Sequence, residues 1–267
     1  MSIEIINIDN KKSLLSRKWK LYDFDERNVI YFSQKYNLKY TVAKLLSIRG
    51  VDKDYIENFL NPNINNDIPN PAKLKDIDKA TSRLIKAIDK KERIGIIADY
   101  DVDGSTSASI LFKFLKNFTS SIILKIPNRL VDGYGPNIKL MKEMLEKKVD
   151  LLITLDCGTT SNEIIDNKEF KNIDVIVIDH HLSEINLPNV LAIINPNRAD
   201  DTSDYKELAA VGVTFLFLMY LRKKLREINK FNEIKEPNLL SYLDLVALGT
   251  VCDVVELKQY NRLFVKK

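Results

Sequence analysis

Residues 93–104 read Arg93-Ile94-Gly95-Ile96-Ile97-Ala98-Asp99-Tyr100-Asp101-Val102-Asp103-Gly104. A short, unbroken apolar run gives way to three acids on alternate positions, and a helical spacing starts at Ser105 and continues to Phe118. A run this short and apolar is the mark of a strand buried on both faces, and strand–turn–helix is how a βαβ unit opens. Working outward, Ile122 to Ile126, Leu151 to Leu155, Val175 to Ile178 and Val190 to Ile194 read as further strands. Asn137 to Lys147 and Thr160 to Asn167 read as the helices between them, with Lys206 to Asn229 and Asn238 to about Leu248 following. The alternation predicts an α/β fold: a parallel sheet with helices on both faces.

Upstream the pattern is different. Tyr40 to Arg49 and Lys73 to Ile88 carry apolar residues at spacings of three and four, as in Leu74, Ile77, Ala80, Leu84 and Ala87. Between them lies Asn61-Pro62-Asn63-Ile64-Asn65-Asn66-Asp67-Ile68-Pro69-Asn70-Pro71, whose residues favour turns. The expected organisation is a small, mainly helical segment over 1–75 and the α/β domain over 76–267. At the other end Asn261 reads as the cap of a helix starting at Arg262. So short a helix does not stand alone, so the chain is expected to be a truncated one.

Composition excludes several classes. With 45% hydrophobic and 29% charged residues the chain is an ordinary globular mixture rather than a disordered or fibrous one. No apolar run approaches the ~18 residues of a membrane span; Val211 to Leu221 is too short and contains Thr214. Met1 to Asn10 carries acids and no basic start, so no secretory signal is expected and the location is read as cytoplasmic. Two cysteines cannot form a disulfide framework; Cys157 and Cys252 read as small buried fillers, with soft metal ligation or oxidation together as the alternatives. A balance of 41 Lys+Arg against 37 Asp+Glu, net +4, is too mild to diagnose a nucleic-acid binder.

The acids fall where ligands bind in an open parallel sheet, at the carboxyl ends of strands. Asp99, Asp101 and Asp103 follow the first strand, Asp156-Cys157-Gly158 the third and Asp179-His180-His181 the fourth; Asp253 follows an apolar helix. Gly104, Gly133, Gly135, Gly158 and Gly249 lie in or beside these turns. Singly, Asp101 and Asp103 read equally as helix caps and Asp156 as a turn residue. Together, carboxylates with one or two imidazoles suit Mn²⁺, Mg²⁺ or Zn²⁺.

Asp101-Val102-Asp103-Gly104, Asp156-Cys157-Gly158, Asp179-His180-His181 and the late Asp253 resemble the four motifs of the DHH phosphoesterase family. Ile126-Pro127-Asn128-Arg129-Leu130-Val131-Asp132-Gly133-Tyr134-Gly135, Ile194-Asn195-Pro196-Asn197-Arg198 and Leu208 to Val213 are similar to later segments of its RecJ-type exonucleases. The resemblance implies 5′→3′ hydrolysis of single-stranded DNA in repair and recombination with two Mn²⁺ or Mg²⁺ ions. It further implies a DHH domain without the DHH-associated and OB-fold domains that usually follow. In that reading Asp101 and Asp99 hold one ion, Asp103, His180 and Asp253 the other, and Asp156 bridges. Many family members place a metal-binding His four residues before Asp101; here that position is Ile97 and Asp99 is expected to replace it. His181 contacts the phosphate or leaving group, Asp179 orients the pair, and Arg129, Tyr134 and Arg198 bind substrate. Single-stranded DNA is the implied partner, with a helicase or single-strand-binding protein beside it and no membrane. Ser105 and Thr106 read as helix caps. The alternatives are a DHH enzyme for short oligonucleotides or cyclic dinucleotides, and a non-catalytic DHH-like scaffold.

Overall fold

The computed structural model describes residues 6–7, 14–16 and 20–267, so most of the segment read for a leader lies outside it. The chain divides into two units, 1–62 and 63–267. In the first, helices Glu26–Lys35, Tyr40–Ile48 and Ile56–Leu60 enclose Val29, Phe32, Ala43, Leu46, Val51 and Ile56. The division falls at Pro62 rather than at 75. Ile64, Ile68 and Leu74 pack into the core of the larger unit, which draws the Asn/Pro stretch into it.

Five strands form the sheet of the larger unit: β1 (Ile94–Ala98), β2 (Ile122–Lys125), β3 (Leu151–Leu155), β4 (Asp174–Ile178) and β5 (Ala192–Ile194). They are parallel in the order β2-β1-β3-β4-β5. The chain moves outward from β1 to β2, then crosses back to β3 on the other side of β1. That makes the β1/β3 boundary the topological switch point, where the loops part and leave a crevice.

Alternate residues face opposite layers. Ile94, Ile96, Ala98, Leu151, Ile153, Leu155, Ile176 and Ile178 pack against one layer. It comprises α1 (Ile77–Asp89), α2 (Val102–Leu115), α4 (Ala210–Glu227) and α5 (Leu243–Cys252). The layer opposite takes Ile97, Leu152, Val175, Val177 and Ile193, and on it α3 (Ile138–Glu146) seats Leu140, Met141 and Met144. Both faces of the sheet are therefore covered, as the apolar runs predict. From Val211 to Leu218 every residue of α4 is buried. Apolarity all round marks a core helix, and among the described residues no helix is long and apolar enough to cross a membrane.

Two helix caps differ from expectation. α2 begins at Val102, because the Asp101 carboxylate accepts from Gly104 N at 2.9 Å and caps it. Ser105 and Thr106 thus sit inside the helix rather than capping it, and Thr106 Oγ1 donates back to Val102 O. Helix α6 (Gln259–Lys266) starts before Asn261, which is no cap. Its buried amide donates to Glu207 O and Glu256 O and ties two loops together.

Candidate metal centre

The carboxyl edge of the sheet brings the predicted acids together. Asp99, immediately after β1, is buried, and Asp101 is exposed at the start of α2. Asp156, immediately after β3, is buried with φ 59°. That left-handed conformation, tolerated by Asp better than by branched residues, turns the chain sharply off the strand. Asp99, Asp101 and Asp156 each offer an oxygen within 4.8 Å of the others. This set spans the switch point.

Asp103, His180 and Asp253 form a second set within the same 4.8 Å limit. His180 Nε2 lies 3.8 Å from Asp103 Oδ2, 3.4 Å from Asp156 Oδ1 and 3.6 Å from Asp253 Oδ2. Asp156 thereby adjoins both sets, and with His180 and His181 it makes a third grouping.

Asp103 is fixed from far away in sequence. Its oxygens accept from Ala210 N at 2.6 Å and Val211 N at 2.8 Å, the first turn of α4. Ala209, at the N-cap of α4, has no side chain to do this. Asp103 therefore satisfies orphan donors and sits at the positive end of that helix. Asp253 arrives at the end of α5, whose approach to α2 depends on Gly249. A Cβ there would lie 2.4 Å from Thr106 Oγ1 and 2.8 Å from Val211 Cγ1. Gly104 is equally confined, since a Cβ would stand 2.5 Å from Asp99 O.

Electrostatics show what the cluster lacks. Burial raises the Asp99 carboxyl, and it raises Asp103 to about 6 although nearby His180 opposes it. Asp156 is pushed well up by burial and then by the charges of Asp103 and Asp101, and burial also raises Asp253. Among the described residues no Lys or Arg pairs with Asp99, Asp101, Asp103, Asp156 or Asp253; their only ion-pair partners are the two histidines. Asp99 Oδ1, Asp156 Oδ1 and His180 Nε2 are buried without a hydrogen-bond partner. Buried polar atoms are normally satisfied. Three lone-pair atoms left over amid converging acids fit divalent cations, and an oxygen-rich set with one imidazole fits Mn²⁺ or Mg²⁺.

Asp179 behaves differently. Burial alone would raise it, but it accepts from His181 Nδ1 at 2.7 Å, Thr159 N at 3.1 Å and the N–H groups of His180 and His181. Those bonds hold it at about 2. In return, the Asp179 hydrogen bond raises His181. Tyr134 donates to Asp156 O at 2.9 Å, and its hydroxyl lies 3.3 Å from His181 Nδ1. Arg129 is exposed, with its guanidinium 5.4 Å from the Tyr100 ring centre.

Arg198 does not join them. Its side chain is 8% exposed and bonds Asp76, Asp200 and Ile193 O at 2.6–3.1 Å. The guanidinium has no face left for a substrate, so the expected substrate role gives way to a structural one. The cysteines also split. Cys157 is a buried filler as expected, whereas Cys252 is exposed. Sequence reasoning missed Asn195, Asn197 and Thr159, which surround the histidine pair. The signal was present in Asn195-Pro196-Asn197, polar residues directly after β5 at the same edge.

The family model described as DHH family, N-terminal domain, matches residues 93–250 of this chain. The chain belongs to the DHH family. Over 195 residues this DHH chain is 40% identical to the single-stranded-DNA-specific exonuclease RecJ of Haemophilus influenzae, covering 73% of itself and 34% of that protein. The RecJ of Thermus thermophilus solved with Mn²⁺ superposes with a TM-score of 0.69 at 28% identity, covering 91% of this chain and 33% of that one. The same protein solved with Mg²⁺ gives 0.59 at 25% identity, covering 91% and 29%. The DHH chain spans about a third of the length of the curated RecJ relatives it matches.

Proposed function

We propose that this chain is the catalytic part of a metal-dependent exonuclease that hydrolyses single-stranded DNA from the 5′ end, in repair and recombination, in the cytoplasm. Two Mn²⁺ or Mg²⁺ ions are its cofactor. The observation that carries this reading is Asp156: one buried carboxylate adjoining two ligand sets, with an oxygen left unbonded. The named relatives and the metal-bound neighbours support the substrate and the ions.

In this reading Asp99 and Asp101 would hold one ion and Asp103, His180 and Asp253 the other, with Asp156 available to both. The ions supply the charge that activates a water and neutralises the scissile phosphate. The remaining work belongs to the chain. Asp179 fixes Nδ1 of His181, leaving Nε2 to meet the phosphate or the leaving group. Tyr134 ties its own loop to Asp156, and exposed Arg129 on the same loop suits a phosphate oxygen. A helicase or a single-strand-binding protein is the class of partner that would present an unpaired strand.

The test is single-turnover digestion of a 5′-phosphorylated oligonucleotide beside a cyclic dinucleotide, with Mn²⁺. Stepwise release of 5′ nucleotides from the strand is expected; turnover of the cyclic substrate alone would replace this reading with the small-phosphodiester one. The net charge is only +4, Arg129 is the one Lys or Arg this reading places on substrate, and phosphate contacts supply most non-specific affinity. Binding by this chain is therefore weak, and cleavage is to be read at saturating DNA.

A further inference from the structure

We infer that Asn195 and Asn197 are positioning residues whose side-chain amides hold the backbone of His180-His181 and so place the two imidazoles. The inference rests on the site reading above only for its metal arm. β4 ends at Ile178, so the histidine pair lies beyond the sheet's own ladder. Its N–H groups both donate to Asp179 Oδ1, at 2.7 Å and 3.2 Å. Its carbonyls are taken by the two asparagines. Asn197 Nδ2 donates to His180 O at 2.5 Å, and Asn195 Nδ2 donates to His181 O at 2.9 Å. All four backbone polar groups of the dipeptide are thus held by three side chains, and no backbone–backbone bond reaches either carbonyl among the described residues.

The holders are themselves fixed. Asn195, fully buried, also donates to Thr159 Oγ1 at 3.0 Å, and its Oδ1 accepts from Asn197 N at 2.8 Å. Thr159 N in turn binds Asp179 Oδ2. Asn197 spends its second N–H on Lys206 O at 3.2 Å. A closed circuit therefore runs from β5 through Asn195, Thr159 and Asp179 to His181, and a second arm runs from Asn197 to His180. Proline at 196 lacks an N–H and has a fixed φ, which suits a segment whose two neighbours must aim their amides at one target. A peptide carbonyl needs a donor, and Asn supplies one on a short side chain. Without it the dipeptide can rotate, and His180 Nε2 loses its place 3.4–3.8 Å from three carboxylates.

Asn195 is fully buried and its loss risks the fold, so the test is placed on Asn197, which is partly exposed. Asn197→Ala removes the donor. Asn197→Asp keeps the shape but turns an oxygen toward the His180 carbonyl. Because the chain has two histidines, a histidine-labelled sample reports only this pair. In the metal-free protein both variants should shift or broaden the His180 imidazole resonance, with His181 less affected. Mn²⁺ affinity by calorimetry should fall about tenfold or more, the range seen when partners of metal ligands are lost. Activity at saturating DNA should fall with it while KM holds. Parental imidazole spectra in both variants would overturn the inference, as would shifted spectra with unchanged Mn²⁺ affinity. So would Asn197→Asp matching the parent while Asn197→Ala does not, since bulk rather than donation would then be the role. If the parent chain bound no Mn²⁺, the site reading would fall, and the metal-free spectra would still decide whether the asparagines hold the pair.

Discussion

The two candidate ligand sets meet at Asp156 but are built by different means. Asp99 and Asp156 stand on the first residues beyond neighbouring strands, so the β1/β3 register brings them together, and the N-cap of α2 adds Asp101. Asp103, His180 and Asp253 are assembled over long range. Asp103 is held by the first turn of α4, Asp253 by the approach of α5 to α2, and His180 by groups beyond β4 and β5. The first set is all carboxylate; Tyr134 donates to the Asp156 carbonyl, and Arg129 lies against Tyr100, between Asp99 and Asp101 in sequence. The second includes an imidazole and is framed by the ends of α2, α4 and α5. A crevice at a switch point is a consequence of topology, whereas the second set requires helices to arrive at a defined distance.

The shared residue gives the largest effect. On the proposed reading Asp156→Ala takes a ligand from both sets, so metal-dependent hydrolysis should fall by more than the ~100-fold that marks loss of an outer partner. Single-turnover rates check it, and a near-parental rate would break the view that the sets share a bridge. Gly249→Ala should damage only the second set. The added Cβ meets Thr106 and Val211, and overpacking of this kind costs about 1–3 kcal/mol. Thermal melting should show that loss, and calorimetry should show one weakened Mn²⁺ site with the other retained.

Asp99→Asn addresses the switch-point set. Burial disfavours the charged carboxylate, so the neutral isostere should leave the metal-free protein as stable or more so while weakening one Mn²⁺ site. Two unchanged sites by calorimetry would make Asp99 a structural acid.

Proton competition separates the acids from Asp179. Asp103 is raised to about 6 and Asp156 is raised further, so the stability they lend is full below the unfolded carboxylate value and is lost as pH rises through their folded values. Asp179, held at about 2, works the other way: its contribution is present above the unfolded value and lost only as pH falls toward 2. Between about pH 5 and 8 the metal-free protein should therefore lose stability, while the melting-temperature gain from saturating Mn²⁺ should grow, because the ion binds deprotonated carboxylates. A gain independent of pH would mean that these acids are not the ligands.

The sheet was legible because each strand is a short apolar run, three of the five ending in an acid. Ile94 to Ala98 and Leu151 to Leu155 stand as read, and the other three shift by two residues or fewer. The switch-point acids follow from that same reading. What stayed hidden depends on contacts between distant residues. Nothing local in Ala209-Ala210-Val211 says that Asp103 caps them, and nothing local in Asn261 says that it binds Glu207 rather than opening a helix. The asparagines after β5 fall between these cases: their place at the edge was readable, but the carbonyls they hold were not.

Arg129 and Arg198 carry the contrast down to one residue type, and give the smallest effect on chemistry. Both follow strands in loops of similar composition, and the family resemblance puts both on substrate. Arg198 ties Asp76 and Asp200 to the end of β5 and is enclosed. Breaking a fully buried pair costs ~3–5 kcal/mol; with Asp200 half exposed, Arg198→Ala should cost about 2 kcal/mol, seen as a lower melting temperature. Its salt dependence of DNA binding should not change. Arg129 lies open beside Tyr100, so Arg129→Ala should leave stability within ~0.5 kcal/mol, as for other exposed positions. It should weaken DNA binding and lower the slope of log affinity against log salt by about 1, the signature of one lost phosphate contact. If the two variants exchanged these outcomes, the structural role of Arg198 and the substrate role of Arg129 would have been assigned the wrong way round.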